Sequence, residues 1–403
     1  MRVLISGASV SGPVLAYWLV RYGFDVTVVE RAPELRRTGG GHAIDLFRPA
    51  MEISEAMGVL PRIEERATGT TRMRVTRGGR PPAEVDLTKV YAAASDRHVE
   101  IMRDDLSAIY HDATRDDAEY VFGDSITAIS AAGEVTFERG APRRFDVIVG
   151  ADGLHSNVRR LTFGAEEAYT TFLGMYLAVL SLPREPAREG TFDLHLEPHR
   201  MAGMYGARHL GDARGIFLFR PGRELAYHHR DVPRQKELLR EQFSGMGPGV
   251  DRWLAELDST PSFYFDSITQ LDLGTWSRGR VTLVGDAGYC PGPAVGGSTS
   301  LSVLGAYVLA GELAEAGGDH ERAFPAYERA MTEPARRSRA FAKAAARTLI
   351  PSSRLGVWGL VNGARLVSAL PSGMSRTLAR LNAKGVRLHD SMPVPRYAAR
   401  VRS

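Results

Sequence analysis

Residues 1–31 read MRVLISGASVSGPVLAYWLVRYGFDVTVVER, and this stretch decides the fold class. It contains an apolar strand, the glycine-rich turn GASVSG at residues 7–12, a helix and a second strand that ends at Glu30. A turn of this kind brings backbone N–H groups to the N-terminus of the helix, where a pyrophosphate can bind. The stretch therefore predicts a dinucleotide-binding βαβ unit, and with it an α/β protein.

Each position of the turn has a predicted task. Gly7 makes the sharp turn and Gly12 allows close packing of the helix on the strand. Ser9 stands at the second glycine position, which requires a negative φ and a hydroxyl that faces the phosphate, and Ser11 is a further candidate for cofactor binding. The carboxylate of Glu30 can accept hydrogen bonds from both hydroxyls of an adenosine ribose. Because a carboxylate disfavours a 2′-phosphate, the nucleotide is expected to be of the NAD or FAD type.

A second informative segment, VTLVGDAGYCPGPAVGGSTSLSVLG, spans residues 281–305. Its buried strand ends at Gly285-Asp286, and a turn with Pro293, Gly296 and Gly297 then opens a helix. Small residues at that point allow backbone N–H groups to approach a ligand at the helix N-terminus. We predict that Asp286 supplies an acceptor for a sugar hydroxyl.

The third segment is FDVIVGADGLHSNVR, residues 145–159. A buried strand ends at Asp152-Gly153, and a helix follows. The three ordered motifs, with the first ending in Glu30-Arg31, resemble those of the class A flavoprotein monooxygenases, the family of para-hydroxybenzoate hydroxylase and the tetracycline-modifying monooxygenases. The resemblance runs from residue 1 to about residue 315 and is patchy between residues 165 and 275.

The resemblance implies cofactor contacts at particular residues. Glu30 would bind the adenosine ribose of FAD, with Arg31 beside it, and Asp152 would help to hold the flavin and the passing nicotinamide nucleotide. Asp286 would bind the ribityl or pyrophosphate portion, and residues 293–297 would pass beside the isoalloxazine ring. Further contacts implied by the family pattern are Arg103 and Asp45 with FAD and Arg37 with NADPH.

The chain departs from the family pattern at two places. Gly288-Tyr289 replaces the usual Ala-His after Gly-Asp, and Ser298 replaces a glycine. These departures leave the FAD prediction in place and change the expected shape of the pocket.

The rest of the chain suggests how the domains are arranged. We expect a Rossmann-like FAD-binding domain at residues 1–165, with a hairpin excursion at residues 71–100, continued at residues 273–330. A substrate-binding sheet at residues 166–272 is inserted between them, and residues 331–403 form C-terminal helices, with a frayed end from residue 391. The inserted sheet is rich in aromatic residues, of which Tyr205, Phe217 and Phe219 are candidates for lining the substrate pocket.

Composition excludes several classes of protein. The net charge of +4 comes from dispersed arginines, without the basic face of a nucleic-acid-binding protein. The single cysteine, Cys290, is typical of a reducing cytoplasm. No apolar run reaches the length of a membrane span, and the histidines lack the spacing and carboxylates of a metal site. We expect a cytoplasmic monomer or homodimer, without a metal ion, a membrane or nucleic acid as partner.

The resemblance implies an enzyme that uses NADPH or NADH to reduce FAD and then transfers one oxygen atom of O₂ to a small molecule. The aromatic-rich sheet favours an aromatic or polycyclic substrate, such as a secondary metabolite or an antibiotic. Two alternatives stay open: a flavin-dependent dehydrogenase or reductase without oxygen insertion, and a flavin-carrying protein that binds a ligand without turnover. A flavin halogenase is disfavoured because the four tryptophans are scattered.

Overall fold

The computed structural model describes residues 1–35, 41–78, 80–89, 95, 97–183, 188–207, 209–228, 231–293, 297–369 and 390–397. The α-helices in these ranges are α1 Ser11–Arg21, α2 Arg48–Ala56, α3 Leu60–Glu65, α4 Arg103–Asp112, α5 Asn157–Phe163, α6 Val232–Phe243, α7 Pro248–Ala255, α8 Asp286–Tyr289, α9 Ser298–Glu315, α10 His320–Thr348 and α11 Arg354–Ala369. The strands are β1 Arg2–Ser6, β2 Asp25–Glu30, β3 Ala43–Phe47, β4 Arg72–Arg77, β5 Arg80–Asp86, β6 His98–Met102, β7 Glu119–Phe122, β8 Ile126–Ile129, β9 Glu134–Phe137, β10 Arg143–Arg144, β11 Val147–Gly150, β12 Thr170–Pro183, β13 Thr191–Glu197, β14 Arg200–Tyr205, β15 Asp212–Phe219, β16 Phe263–Leu271, β17 Ser277–Arg278 and β18 Val281–Leu283. This is the mixed α/β class expected from the sequence.

The first sheet has the order β17-β18-β11-β1-β2-β7 and is parallel except at β17. Its central strands are apolar along their length because both faces are covered. The register aligns Ser6 with Gly150, and Gly150 with Leu283. The carboxyl ends of β1, β11 and β18 therefore meet at one edge, and the three sequence motifs follow those ends directly.

The second sheet has the order β16-β12-β15-β14-β13-β4-β5. Five of its strands, β12 to β16, come from the region predicted as an inserted sheet, and β16 forms one edge. The predicted hairpin excursion forms β4 and β5, and β4 pairs in parallel with β13. The hairpin thus extends the second sheet, although it precedes that sheet in sequence by about a hundred residues.

Two opposite faces of the second sheet have different partners. One face packs against α6 and α7 in an apolar cluster that includes Phe217, Phe219, Phe243 and Trp253. The opposite face contacts α10 through Ala342 and the residues around it. Since side chains alternate along a strand, neighbouring residues of β15 pack on opposite faces of the sheet, one against α6 and α7 and the next against α10.

The end of the chain is held against α9. Tyr397 donates to Glu312 Oε1 at 2.8 Å, and the Tyr307 hydroxyl donates to the carbonyl of Pro395 at 2.9 Å. The prediction of a frayed end is therefore wrong for residues 391–397, because two tyrosines anchor the segment to a buried helix. Within the part of the chain that the structure describes, every helix is too short or too polar to cross a bilayer.

Candidate active site

The turn after β1 has no room for any side chain at its two glycines. Gly7 has φ +109°, and a Cβ there would lie 2.5 Å from the carbonyl oxygen of Ala151. A Cβ on Gly12 would lie 1.9 Å from the carbonyl oxygen of Gly7. These contacts confirm the steric reading of the turn: both positions need glycine because backbone approaches backbone.

The first turn of α1 lacks a side-chain cap. Its N-cap residue is Val10, and the first turn carries no acidic residue, so its N–H groups have no partner from a side chain. Ser9 is not among the described residues with positive φ, so the first of its two expected properties, a negative φ, is met; that its hydroxyl faces the phosphate stays a prediction. The guanidinium of Arg103 donates to Ser9 Oγ at 3.2 Å. An uncapped helix N-terminus beside an arginine is suited to an anion such as a pyrophosphate.

Glu30 lies at the end of β2, where its carboxylate is held by the backbone. The N–H of Ala8 donates to Oε2 at 3.0 Å, and the N–H of Ala32 donates to Oε1 at 2.8 Å. Each oxygen keeps a second acceptor position. The side chain is half-buried, whereas the neighbouring Arg31 is exposed. The carboxylate is thus fixed beside the glycine turn with acceptor capacity to spare.

Asp286 begins α8, and its Oδ1 is buried without a hydrogen-bond partner. Burial raises the pKa of this carboxyl, and the positive charge of Arg103 opposes that rise. Gly285 precedes it with φ +68°, and a Cβ there would lie 2.9 Å from Ser302 Oγ and 3.1 Å from Ser11 Oγ. An unsatisfied buried acceptor is costly, and a ligand hydroxyl would remove that cost.

A second uncapped helix N-terminus faces the same region. Gly297 is the N-cap of α9 with φ +82°, and no side chain caps the helix. Pro293, the first predicted residue of the segment before α9, is half-buried, and Gly296, also predicted there, lies outside the described residues. The N-terminus of α9, from Gly297 onward, can therefore present its backbone N–H groups to a polar ligand.

Asp152 is engaged by its own chain. Its Oδ2 accepts from the N–H groups of Asn157 at 2.9 Å and Val158 at 3.1 Å, and Ser156 Oγ donates to Oδ1. Asp152 thereby caps α5, and burial raises the pKa of its carboxyl. Gly153 follows with φ +81° and open space around it. The hydrogen bonds show that Asp152 caps α5. A contact between Asp152 and the flavin stays a prediction.

The segment around β3 brings further residues to the site. Asp45 Oδ1 lies 2.7 Å from His98 Nε2, and the N–H of Arg103 donates to the carbonyl of His42 at 3.1 Å. The imidazole of His42 is buried, which lowers its pKa to about 4, so His42 is neutral near pH 7. Arg37, which was predicted to contact NADPH, lies outside the described residues.

The structure corrects two of the three predicted pocket residues. Phe217 and Phe219 are fully buried on the face that packs against α6, with ring centroids 5.0 and 5.7 Å from that of Phe243. They form core packing, and the strand register places them on the face opposite to the one that contacts α10. Tyr205 points the other way, and its hydroxyl accepts from the N–H of Ala43 at 2.6 Å.

The face of the second sheet that contacts α10 carries different residues. Met201, Ile216 and Tyr264 are apolar or aromatic side chains that are only partly buried. The ring of Tyr264 lies 6.5 Å from that of His42, and its hydroxyl donates to Asp266 Oδ2 at 3.2 Å. Met201 and Ile216 are not aromatic, and only the strand register shows that they lie on this face.

Three comparisons bear on this geometry. The family model described as FAD binding domain matches residues 1–338. A flavin-dependent monooxygenase of Legionella longbeachae is 34% identical over 331 residues, which cover 81% of this chain and 84% of that protein. An uncharacterised protein of Mycobacterium tuberculosis is 42% identical over 333 residues, which cover 81% of this chain and 88% of that protein. The crystal structure of tetracycline destructase Tet(55) is 30% identical, with a TM-score of 0.84 and 98% of each chain covered.

The chain belongs to the class A FAD-dependent monooxygenases. The match to the FAD-binding model spans all three motifs, and the likeness to Tet(55) extends over the second sheet and the C-terminal helices. The family predicted from the three sequence motifs is therefore confirmed.

The residues present fit FAD. The unpartnered Oδ1 of Asp286, the two uncapped helix N-termini and the backbone cradle at Gly7 and Gly12 are groups that a dinucleotide would satisfy. In this family member Glu30 is suited to the adenosine ribose, and Arg103 with α1 to the pyrophosphate. The assignment of individual contacts to these residues stays a prediction.

One departure from the family pattern has a visible structural counterpart. The phenol of Tyr289 would lie 1.8 Å from a Cβ on Gly305, so glycine in α9 provides the space for the ring. The hydroxyls of Tyr289 and Tyr327 lie 3.1 Å apart, within hydrogen-bond distance, in the buried core around the first sheet. Tyr289 is therefore part of the core beneath the flavin site.

Proposed function

We propose that this protein takes electrons from NADPH or NADH and transfers one oxygen atom of O₂ to an aromatic or polycyclic small molecule. The observation that carries the proposal is the unpartnered carboxylate oxygen of Asp286 at the point where two uncapped helices converge. Bound there, FAD would accept the electrons and activate O₂. The protein supplies binding, orientation and a dry cavity.

The substrate class follows from the partly buried face of the second sheet. Met201, Ile216 and Tyr264 offer apolar surface with a single phenol hydroxyl, which suits a flat, weakly polar molecule. The relationship to tetracycline destructases, named for a polycyclic antibiotic, supports the same class. Tyr205 is a candidate at the rim of this pocket, where its hydroxyl holds the backbone next to His42.

Two titratable side chains of the site, His42 and Tyr264, are uncharged near pH 7. His42 is neutral near pH 7 because burial lowers its pKa, and burial raises the pKa of the Tyr264 phenol, which therefore stays protonated. Both groups can exchange hydrogen bonds with a substrate hydroxyl without carrying charge. A water-poor site of this kind favours transfer of oxygen to substrate over its loss as H₂O₂.

The test begins with the purified protein, which is expected to be yellow. Acid or heat should release free FAD, since the binding groups described here are non-covalent. A colourless protein that does not take up FAD would overturn the proposal at its first step.

The decisive assay measures NADPH and NADH consumption across a panel of phenols, quinones and polyketides, with product masses read after incubation under ¹⁸O₂. Incorporation of one ¹⁸O atom into product is expected. A dehydrogenase or reductase would consume NAD(P)H and give product without ¹⁸O. A flavin-carrying binding protein would show no stimulation by any ligand.

We further propose that the protein acts in the cytoplasm as a monomer or homodimer. The single cysteine, Cys290, is buried, and burial raises the pKa of its thiol, so it is inert in a reducing compartment. Size-exclusion chromatography with light scattering would decide the oligomeric state.

A further inference from the structure

A basic cavity, open to solvent on one side, lies at the end of the second sheet, outside the set of residues assigned to FAD. Its volume is about 660 Å³. Thr171 and Leu173 of β12 form one wall, the segment after β15 forms another, and α10 forms the third. The size is in the range of cavities that hold small organic ligands.

The walls of this cavity carry unbalanced positive charge. Arg220, Arg223, Lys343 and Arg347 line it together with a single carboxylate, that of Glu224. None of the four cations forms an ion pair with a carboxylate among the residues that the structure describes. Lys343 and Arg347 are four residues apart on α10, where like charges destabilise a helix. An anionic ligand would relieve this repulsion.

Arg220 is the most distinctive of these residues. Its Nη2 is buried without a hydrogen-bond partner, and burial lowers its pKa. Its backbone N–H donates to the carbonyl of His199 at 2.8 Å, and the N–H of His199 donates to that of Pro351 at 2.9 Å. His199 is the one non-glycine residue with positive φ, +67°, among the residues described. A turn with one left-handed residue thus holds a half-buried guanidinium at the cavity wall, and one nitrogen of that guanidinium, Nη2, is buried without a partner.

The cavity is connected to the flavin side of the molecule. Thr171 pairs with Gln270 across β12 and β16, and the Gln270 amide donates to the carbonyl of Pro291 at 3.0 Å. Pro291 belongs to the turn between Asp286 and α9. The cavity wall at Thr171 and the turn at Pro291 are separated by one strand spacing and the length of the Gln270 side chain. This distance is on the order of 10 Å.

We propose that this cavity binds the phosphate groups of the nicotinamide nucleotide while its nicotinamide ring reaches the flavin. The inference rests on the proposed use of NAD(P)H. An excess of three positive charges exceeds what one carboxylate of a substrate could neutralise, whereas a 2′-phosphate together with a pyrophosphate matches it. The cavity therefore favours NADPH over NADH.

The test compares two double variants of α10 that remove the same charge. K343Q/R347Q removes two cations of the cavity. R336Q/R337Q removes two cations that pair with Glu333, outside the cavity lining, and serves as the matched control. With holoenzyme at constant ionic strength, K343Q/R347Q is expected to raise KM for NADPH roughly tenfold or more, KM for NADH by much less, and kcat little. The control should change each constant less than about twofold.

A binding experiment is independent of turnover. Inorganic pyrophosphate is titrated calorimetrically into oxidised holoenzyme, where it should bind, bind less to Arg220→Gln and K343Q/R347Q, and bind normally to the control. The holoenzyme could bind pyrophosphate through these residues and yet fail to oxidise NAD(P)H. That result would support the anion site and overturn only the proposed function. Absence of pyrophosphate binding would overturn the site. A changed KM for an acidic substrate with unchanged KM for NADPH would overturn the nucleotide assignment.

Discussion

At Glu30, one carboxylate both organises the turn and offers acceptors to a ribose. The N–H groups of Ala8 and Ala32 occupy one position on each oxygen, and charge-assisted hydrogen bonds contribute on the order of 1.5 to 3 kcal/mol. Glu30→Ala is therefore expected to weaken FAD binding by roughly 10- to 150-fold. Fluorescence titration of the apo-protein with FAD measures the change.

Glu34→Ala is the control for this prediction, because Glu34 is an exposed carboxylate four residues further along. It should leave FAD affinity unchanged. Glu30→Gln, which keeps one acceptor oxygen and removes the charge, should fall between the wild type and Glu30→Ala. An FAD affinity of Glu30→Ala equal to that of the wild type would remove Glu30 from the site.

Asp286 is expected to matter for the cofactor more than for the fold. Burial raises the pKa of its carboxyl, and Oδ1 lacks a partner, so the charged side chain does not stabilise the apo-protein. Asp286→Asn should lower FAD occupancy and substrate-linked NAD(P)H oxidation together. The thermal midpoint of the FAD-free form should stay nearly unchanged or rise.

The same substitution at Asp272, an exposed partner of Arg339, provides the comparison. Asp272→Asn should leave FAD occupancy as in the wild type. If Asp286→Asn instead unfolds the apo-protein while the remaining holoenzyme turns over normally per flavin, Asp286 is a structural cap.

At the scale of elements, the packing of α9 depends on a glycine, Gly305, whose lack of a side chain leaves space for Tyr289. A Cβ on Gly305 would meet the Tyr289 hydroxyl at 1.8 Å, and that hydroxyl bonds to Tyr327, which donates to the carbonyl of Leu283 at 3.0 Å. Gly305→Ala is therefore expected to reduce the free energy of unfolding by about 1–3 kcal/mol, despite the better helix propensity of alanine. Denaturant unfolding of the apo-protein measures it.

Gly359 in α11 is the matched control, since a Cβ there meets nothing within 4 Å. Gly359→Ala should stabilise by up to about 1 kcal/mol, the propensity difference alone. Adding Tyr289→Phe to Gly305→Ala removes the clashing hydroxyl and should restore part of the loss. Equal effects at the two glycines would show that the Tyr289 ring does not constrain α9.

At the scale of the whole molecule, His155 joins the two sheets. Its Nε2 lies 3.0 Å from Asp266 Oδ2 of the second sheet, and its Nδ1 lies 2.8 Å from Glu166 Oε1. Hydrogen bonds to these carboxylates raise the pKa of His155 to about 10. The charged form is favoured by folding, so its stabilisation is complete below the ordinary pKa near 6.5 and is lost as pH rises through about 10.

The stability lost in His155→Gln should therefore be larger at pH 7 than above pH 10. The difference is modest because the side chain is partly exposed and screened by solvent. Unfolding of wild type and variant at both pH values measures it. His320→Gln is the control, since that ring packs against Phe324. A loss that is the same at both pH values would assign His155 a packing role alone.

The features that the sequence predicted correctly are those that depend on residues close together in the chain. The turn at residues 7–12, the Glu30 terminus and the Gly285-Asp286 step each depend on neighbouring residues, and the family they indicate is confirmed. The α/β class and the strand-rich insert also follow from local patterns. Individual cofactor contacts stay predictions, because they depend on a ligand.

Other features depend on residues far apart in the chain, and only the tertiary structure decided them. Strand register turned Phe217 into core and left Ile216 facing α10, because a period of two sends neighbours to opposite faces. Long-range pairing placed β4 beside β13, and the packing of Tyr397 on α9 ordered a segment with no local signal of its own. The sequence by itself determined the nucleotide-binding turns, since close backbone approach needs glycine there. Tertiary packing determined which side chains share a cavity, since that depends on contacts that no local stretch encodes.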